Sequence, residues 1–465
     1  MRSRPRRLTL PVVALTLLGI IIGSAQADVA LRRLELVTVT DTTAVLTWLT
    51  DQPSNTIVHY GTREDRLDQT ASSGDVSTRF HHCEIRGLRP GTLYHYVCRS
   101  GSSRLAQGPL SPGRFKTLIP PPGPELFSFA TMADTHVGQD WVARYVLRSG
   151  KVISEGARWR DPTVPFWQLS VDAAVKEINH RNVAFTIVKG DVTDGRSERE
   201  FSEAKRLLAR LSRPCYVVRG NHDRLAPLLQ TFGLDKPWYS FDHGGFHFVV
   251  LDTELVKPKA PDRTGQLQLD WLTDDLRRHR DKRTFVFVHR PMTPKLQRGG
   301  AGRLGRSLYT FGKGVLERSY GSRASRVLDM ASGRTPQVSP AHAALVAQRF
   351  RDHGRVIGVF AGHLHRNYVG YWPEQTGNLR YVETASTKEY PCGYAITRVF
   401  AGGYMQNYYT PRDPQCLEWS GMTRDAYAKL GFGSKVGTLT DRNFVVHFDK
   451  LDLQPRPKNK DVAAQ

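Results

Sequence analysis

Short stretches in which apolar and polar residues alternate occupy the first quarter of the chain. Residues 44–49, 56–60, 83–88 and 93–98 follow this pattern, and polar or glycine-containing turns separate them. An apolar residue at every second position is typical of a strand that buries one face, and a succession of such strands is typical of a β-sandwich. The pattern therefore predicts a small all-β domain over residues 28–118.

A proline-rich stretch, residues 119–124, ends this pattern. Because proline lacks a backbone N–H and cannot pair inside a sheet, the stretch is predicted to be a stiff linker between two domains. Apolar runs then alternate with segments of helical spacing. The predicted strands are residues 126–132, 183–188 and 216–218, and the predicted helices are residues 171–178 and 200–211. This order predicts an α/β domain whose strand ends are the expected place for a ligand site.

The second half of the chain continues the same alternation. Residues 246–251, 284–288, 356–361, 394–399 and 443–448 are predicted strands, and residues 266–272 have the spacing of an amphipathic helix. The α/β domain is accordingly predicted to span residues 125–449. The charged residues 450–465 are predicted to be a disordered tail, because they contain too few apolar side chains to join a core.

The first residues have the composition of a secretory signal peptide. Four arginines precede an apolar run, residues 8–22, which closes with Ala25-Gln26-Ala27. This run is shorter than the roughly 20 residues that a membrane-spanning helix needs. Residues 1–27 are therefore predicted to be cleaved, leaving a secreted or periplasmic protein without a membrane span. Export by the general route and export by the twin-arginine route both stay open.

The chain is strongly basic. Its formal net charge is +22, and cleavage of the four leading arginines would leave 22 − 4 = +18. Such an excess attracts anions, which include phosphorylated small molecules and polyanions such as nucleic acid.

The five cysteines contain no closely spaced pair of the kind that binds zinc or carries redox chemistry, so they are predicted to be structural. Cys83 and Cys98 are predicted on inward faces of the β-domain, where a disulfide and two free thiols are both open. Cys215, in a predicted strand, is expected to be a buried free thiol.

Residues that commonly bind metal ions follow directly after the predicted strands of the α/β domain. They are Asp134, His136, Asp191, Asn221, His222, His289, His363 and His365. Carboxylate, amide and imidazole groups suit zinc, manganese and iron. The set is larger than one ion needs. Two ions about 3.5–4 Å apart, bridged by a carboxylate, would use it fully and would suit phosphate ester hydrolysis.

Five sequence blocks resemble those of the calcineurin-like metallophosphoesterases. In chain order they are Asp134-Thr135-His136, Gly190-Asp191, Gly220-Asn221-His222-Asp223, His289 and Gly362-His363-Leu364-His365. The resemblance implies an α/β core of two β-sheets flanked by helices. The preceding domain resembles a fibronectin type III sandwich, because residues 87–94 match its tyrosine corner. The order of the two domains is similar to that of purple acid phosphatases.

The resemblance also implies roles for these side chains. Asp134, His136 and His365 would bind one ion and Asn221, His289 and His363 the other, with Asp191 as the bridge. The ions would be iron, manganese or zinc. A hydroxide bridging them would attack phosphorus, while His222 would protonate the leaving oxygen and Asp223 would orient its ring.

The sequence departs from the purple acid phosphatase pattern at two positions. Three residues after Asp191, those enzymes have a tyrosine ligand, whereas this chain has Asp194. Without a phenolate, no purple colour is expected. His136 stands where they have glycine, which resembles the broader calcineurin-like set. The expected ligand chemistry therefore follows that broader set.

Two insertions are candidates for setting the substrate. Residues 139–165 contain three aromatic and four arginine residues, among others, and residues 295–327 contain eight lysines and arginines against the single acid Glu317. Either these segments overhang the metal ions and attract a polyanionic substrate, or they are mobile surface loops. Both interpretations stay open at this point.

The sequence thus favours an exported, dinuclear-metal phosphoesterase that hydrolyses phosphomonoesters in the manner of an acid phosphatase. A phosphodiesterase or nuclease acting on a polyanion is the alternative within enzymes. An alternative of another class is a cell-surface binding protein with an inert metal domain. Metal identity and oligomeric state are open.

Overall fold

The computed structural model describes the two folded regions and leaves several segments out. The described residues are 29–74, 77–100, 113–146, 150, 152–161, 163–195, 197–256, 262–292, 338–371, 379–429 and 435–451. The predicted signal peptide (1–27), the basic insertion 295–327 and residues 452–465 of the predicted tail lie outside the described residues.

Two antiparallel sheets form the amino-terminal domain in the part that the structure describes. One sheet has the order β1 (Leu31–Val39), β2 (Ala44–Ser54), β5 (Thr78–Ile85), and the other has the order β4 (Gln69–Ser72), β3 (Ile57–Gly61), β6 (Leu93–Arg99), β7 (Gly113–Lys116). Alternate side chains of both sheets, such as Leu46 and Tyr96, fill the core between them. Tyr94 Oη accepts a hydrogen bond from Arg89 N at 3.0 Å, as expected of a tyrosine corner. The predicted all-β domain is confirmed.

The structure decides between a disulfide and two thiols at Cys83 and Cys98. Cys83 and Cys98 are both buried in the core of the β-domain, and no disulfide joins them. Cys215 forms no disulfide either, but it is half-buried, so its predicted burial is wrong. It stands at the start of β12, an edge strand that has a neighbour on one side only.

The second domain is built on two β-sheets, each with six strands among the described residues. The first sheet has the order β12 (Cys215–Val218), β11 (Thr186–Lys189), β8 (Glu125–Met132), β19 (Tyr394–Phe400), β20 (Gly403–Tyr409), β21 (Asn443–His447). Within it β8, β11 and β12 run parallel. Parallel strands end at a common edge, so the residues that follow these three strands are brought together.

The second sheet packs face to face on the first. Its order is β13 (Tyr239–His243), β14 (Phe246–Val250), β15 (Thr284–Phe287), β16 (Val356–Ala361), β18 (Arg380–Glu383), β17 (Tyr368–Tyr371), and β14, β15, β16 and β18 run parallel. Aromatic side chains, among them Phe129, Phe248, Phe285 and Tyr404, fill the space between the two sheets. Close packing of these rings fixes one sheet against the other.

Helices cover the outer faces of both sheets. The helices α1 (Phe166–His180), α2 (Glu198–Leu208) and α3 (Leu225–Phe232) lie on the first sheet, and α4 (Asp262–Arg278) and α5 (Pro340–His353) lie on the second. In α1 the buried residues Val171, Ala174, Val175 and Ile178 recur at helical spacing, which gives the helix one apolar face. The predicted core of two sheets flanked by helices is confirmed. None of the described helices is long and apolar enough to cross a membrane.

Strand β1 joins the two domains through buried amide side chains. Asn407 Nδ2 donates to Val39 O at 2.9 Å, and Asn443 Nδ2 donates to Val37 O at 3.1 Å. Asn443 Oδ1 in turn accepts from Val39 N at 3.1 Å. Val37 and Val45 of the β-domain also belong to the apolar core under α1 and α2. The two domains therefore share buried contacts beyond the proline-rich segment.

The first insertion is folded in its described part. It forms a hairpin of β9 (Val142–Val146) and β10 (Val152–Ala157), and this hairpin packs on α6 (Pro414–Lys429). The Trp159 ring meets the Trp419 ring edge to face, with centroids 6.0 Å apart, and Arg160 Nη2 donates to Glu418 Oε2 at 2.7 Å. A short helix α7 (Leu439–Arg442) and the 3₁₀ turns Thr253–Leu255 and Phe448–Lys450 complete the described elements. The described part of this insertion is thus a packed element of the fold, so the interpretation as a mobile loop is wrong for it. Its position over the metal ions stays a prediction.

Candidate metal centre

Seven predicted ligands lie at one edge of the paired sheets because each follows a strand that ends there. β8, β11, β12, β15 and β16 run toward this edge and lead to Asp134, Asp191, Asn221, His289 and His363. Five of the seven have a left-handed backbone: φ is 54° at Asp134, 41° at His136, 47° at Asp191, 69° at His363 and 50° at His365. Non-glycine residues rarely adopt this conformation, and where they do it is concentrated at functional sites.

Glycine precedes several ligands because the strand ends meet closely. A Cβ atom on Gly220 would lie 2.0 Å from Asp191 N, and one on Gly190 would lie 2.3 Å from His289 Nδ1. Both distances are far inside van der Waals contact. The glycines of the sequence blocks therefore allow the ligand-bearing loops to approach each other.

The first cluster of candidate ligands contains Asp134, His136, Asp191 and His365. Their ligand atoms all lie within 4.8 Å of one another. Asp134 Oδ1 is 3.3 Å from His365 Nε2, and Asp191 Oδ2 is 3.5 Å from His136 Nε2. These distances leave room for a cation between the atoms of each pair.

The second cluster contains Asp191, His289 and His363. His289 Nε2 lies 3.3 Å from Asp191 Oδ2 and 3.1 Å from the amide oxygen of Asn221. Asp191 belongs to both clusters, and one of its oxygens, Oδ2, faces a histidine of each. This is the position that a bridging carboxylate needs.

The hydrogen bonds of the histidines show that the two clusters fit metal ions. His289 Nδ1 donates to the carbonyl oxygen of Lys189 at 3.0 Å, and His365 Nδ1 donates to Glu389 Oε1 at 2.7 Å. In a neutral imidazole the other nitrogen then carries a lone pair, and in both residues it faces an oxygen. The buried Nε2 of His136 has no hydrogen-bond partner among the described residues. A cation between such facing groups, either a proton or a metal ion, satisfies both of them.

The electrostatics of the buried groups agree with this fit. Burial opposes the protonation of His289, but the carboxylate of Asp191 outweighs it and raises the pKa of His289 to about 9. Burial lowers the pKa of His136 to about 4, so that this imidazole is neutral. A metal ion that binds here takes the place of the proton on His289.

His222 lies beside the first cluster and is held by a carboxylate. Asp194 Oδ1 is 3.3 Å from Nδ1 of His222 and 3.3 Å from Nδ1 of His136. The hydrogen bond that His222 donates to Asp194 raises the pKa of His222, against the effect of burial and with help from the charge of Asp191. The side chain of His222 is 38% exposed, so it combines a favoured positive charge with access to solvent.

Comparison with known proteins places this arrangement in a family. Residues 127–367, just over half of the chain, match the family described as calcineurin-like phosphoesterase. The chain belongs to the calcineurin-like phosphoesterases. Members of this family use a dinuclear metal centre. Residues 32–117 match the purple acid phosphatase N-terminal domain.

Curated relatives of this phosphoesterase match over part of their length. Purple acid phosphatase 21 of Arabidopsis thaliana is 25% identical over 268 residues, which are 50% of this chain and 51% of the relative. A probable glycerophosphodiester phosphodiesterase of Arcobacter nitrofigilis is 27% identical over 113 residues, which are 23% of this chain and 41% of the relative. The chain thus spans about half or less of the length of these two relatives.

Solved structures of similar fold have low sequence identity to this phosphoesterase. A dimetal phosphatase from Danio rerio is 15% identical with a TM-score of 0.43, over 62% of this chain and 98% of that one. A purple acid phosphatase from seeds of yellow lupin (Lupinus luteus) is 13% identical with a TM-score of 0.37, over 84% of this chain and 76% of that one.

The expected role of Asp223 in the phosphoesterase needs correction. Its Oδ1 accepts from Thr193 N at 2.9 Å, and its Oδ2 accepts from Gly220 N at 2.9 Å and Val192 N at 3.1 Å. Asp223 is buried, and both oxygens are occupied by backbone amides, so it stabilises the two ligand loops instead of orienting the ring of His222. Asp194 contacts that ring. Burial, followed by the charge of Asp191, raises the pKa of Asp223 to about 6.

Sequence reasoning missed two residues of the phosphoesterase site. Glu389 Oε1 accepts from His365 Nδ1 and also from Tyr427 Oη at 2.5 Å and Lys435 Nζ at 2.9 Å. Arg290 Nη1 lies 3.1 Å from His363 Nε2 and is paired with Glu254. Arg290 directly follows a predicted ligand, which was a usable signal. Glu389 lies beyond the last sequence block, and no motif marks it.

Proposed function

We propose that this protein is an exported metallophosphoesterase that hydrolyses phosphomonoesters. The observation that carries the proposal is the position of Asp191, whose Oδ2 faces His136 of one cluster and His289 of the other. A carboxylate shared by two clusters of carboxylate, amide and imidazole donors matches the requirement of a two-metal hydrolase. The two-domain division at residues 119–124 is part of the proposal.

Seven side chains would hold the two metal ions. Asp134, His136, Asp191 and His365 would bind one ion, and Asp191, Asn221, His289 and His363 would bind the other. Iron, manganese or zinc suits this set of oxygen and nitrogen donors. When bound, two such ions polarise a phosphate ester and activate water.

Proton donation to the leaving group is assigned to His222. Asp194 occupies its Nδ1, so Nε2 is the nitrogen that is left to donate to the leaving oxygen of a bound ester. The neighbouring carboxylates favour the imidazolium form, which is the form that can donate. Partial exposure of the ring lets a substrate approach it from solvent.

The order of the two domains supports a monoesterase. The match of residues 32–117 to the purple acid phosphatase N-terminal domain and the similarity to purple acid phosphatase 21 both favour a phosphomonoester substrate. The similarity to a probable glycerophosphodiester phosphodiesterase favours a diesterase as the second candidate. The basic net charge would attract either substrate.

A substrate panel separates these candidates. The protein is loaded in turn with manganese, zinc or iron, and turnover of nitrophenyl phosphate, bis-nitrophenyl phosphate and single-stranded DNA is measured. We expect the monoester to have the highest kcat/KM, and chelation of the metal to abolish turnover. A higher kcat/KM on the bis ester or DNA would favour the diesterase. Absence of hydrolysis with every metal would favour a binding protein with an inert metal domain.

Export is tested separately from catalysis. We expect the protein recovered from its native cells to lie in the secreted or periplasmic fraction and to begin at Asp28. Recovery of full-length protein from the cytoplasm would contradict export and would leave the catalytic proposal unaffected.

A further inference from the structure

Two buried cysteine thiols lie side by side in the second domain. Cys392 and Cys416 are both fully buried in the apolar cluster that also contains Trp419. The two side chains are in hydrogen-bond contact with each other. This pair is far apart in sequence and belongs to no motif, so only the fold brings the sulfur atoms together.

Helix α1 holds both sulfur atoms at neighbouring positions. Cys392 Sγ lies 3.5 Å from Ser170 Oγ, and Cys416 Sγ lies 3.6 Å from the carbonyl oxygen of Leu169. Cys392 Sγ also lies 3.2 Å from the carbonyl oxygen of Thr387. The hydrogen bond to Cys392, together with burial, raises the pKa of Cys416. Cys416 is therefore held as a thiol in the folded protein, with its sulfur against that of Cys392.

The loop that carries Cys392 also carries Glu389. Cys392 N donates to Glu389 O at 2.5 Å, and Trp419 Nε1 of α6 donates to Lys388 O at 2.6 Å. Glu389 in turn accepts from the candidate ligand His365. A covalent bond between Cys392 and α6 would consequently fasten the loop that supports the candidate metal centre.

We propose that Cys392 and Cys416 are a site of disulfide formation that cross-links this loop to α6. The oxidant is a small disulfide such as oxidised glutathione. The two S–H bonds and the S–S bond of the oxidant break, and one S–S bond forms between the cysteines. Two electrons and two protons pass to the oxidant, which leaves as two thiols. Sulfur atoms already in contact need only a small movement to reach the S–S bond length of about 2.05 Å.

Peptide mapping tests the proposal on the full-length protein. The protein is unfolded, refolded in a buffer of oxidised and reduced glutathione, and alkylated under denaturing conditions before digestion with trypsin without reductant. Refolding gives the oxidant access to both thiols. We expect a linked pair of the peptides 389–398 and 413–424, each of which contains one cysteine. Recovery of both peptides alkylated, or a link from either cysteine to another one, would overturn the proposal.

Variants give a second measurement. Oxidised wild-type protein should unfold at an apparent Tm roughly 3–5 °C above that of reduced protein, because the cross-link restricts the unfolded chain. Cys392→Ser and Cys416→Ser should lose both the linked peptides and this difference, whereas Cys215→Ser, which removes a distant thiol, should keep both. An equal Tm for oxidised and reduced wild-type protein would also contradict the cross-link. The mapping decides the question if either serine variant fails to fold.

Discussion

The carboxylate oxygen Oδ1 of Asp194 lies 3.3 Å from the imidazole nitrogen Nδ1 of His222. The same oxygen is 3.3 Å from Nδ1 of His136. Asp194 therefore connects a candidate metal ligand to the candidate proton donor. It occupies the position where purple acid phosphatases have a tyrosine ligand, so the substitution changes what this position can do: a carboxylate here orients imidazole rings and stabilises their charge.

The substitution Asp194→Asn should weaken proton donation by His222. It removes the negative charge that raises the pKa of His222 but keeps the size of the side chain. We expect kcat for an alkyl phosphate, whose leaving oxygen needs a proton, to fall at least about tenfold. The decrease for nitrophenyl phosphate, a better leaving group, should be smaller. Equal losses on both substrates, measured at matched metal content, would contradict the assignment.

Iron-loaded protein should lack the purple colour of tyrosinate ligation. No phenolate stands at residue 194, and the other candidate ligands are carboxylates, an amide and imidazoles. Absorption spectroscopy of the wild type and of Asp194→Tyr, both loaded with ferric iron, checks this. A visible charge-transfer band in the wild type would show that another tyrosine reaches the metal, whereas a band in the variant alone is the expected result.

The substitution Asp191→Ala should remove both metal ions. Because Asp191 belongs to both clusters, its loss should reduce metal content from about two ions per chain to below one and abolish hydrolysis. Elemental analysis of purified protein measures this. Asp242→Asn is the matched control. Asp242 lies in another His–Asp cluster, and its oxygens already pair with His247 and Lys282 at 2.8 and 2.7 Å. Full metal content in Asp191→Ala would refute the bridging role.

The substitution Glu389→Gln should weaken metal retention. It keeps the shape of the side chain but removes the charge that makes His365 a better ligand, so we expect roughly tenfold weaker affinity for a metal ion. Titration with a chelator of known affinity measures the effect. Tyr427→Phe removes one hydrogen bond to the same carboxylate and should have a smaller effect. An unchanged chelator midpoint in Glu389→Gln would show that Glu389 serves only the fold.

His81 should make the β-domain less stable in acid. It is buried against Trp48, and its two nitrogens lie 2.9 Å from Thr50 Oγ1 and 2.8 Å from Thr56 Oγ1. Burial lowers its pKa from 6.5 to about 4. Below pH 6.5 His81 therefore binds a proton in the unfolded chain, whereas in the folded chain it stays neutral until the pH nears 4. The free energy of unfolding is accordingly highest above pH 6.5 and decreases toward pH 4.

Denaturant unfolding between pH 7 and pH 4 measures this dependence. We expect His81→Gln to show a shallower loss of unfolding free energy as the pH falls than the wild type. His95→Gln, on strand β6 of the same domain, is the control and should keep the wild-type slope. The same slope in all three proteins would mean that His81 does not couple to folding.

The sequence alone determined the order of elements and the identity of the predicted ligands. Apolar runs marked β8, β11, β15 and β16 to within a few residues, because strand periodicity and burial leave a direct trace in the sequence. Metal-binding side chains directly after these strands were equally visible. Parallel strands end at a common edge, so a local pattern was sufficient to predict a shared site.

Only the tertiary structure decided which side chains contact those ligands and His222. Asp223 was expected to orient His222, but the fold directs it to backbone amides and places Asp194 at the ring. Glu389 reaches His365, and Cys392 meets Cys416, across separations that no periodic pattern records. These contacts depend on how loops and helices pack after the sheets have formed, and packing depends on side-chain shape across the whole core instead of on neighbours along the chain.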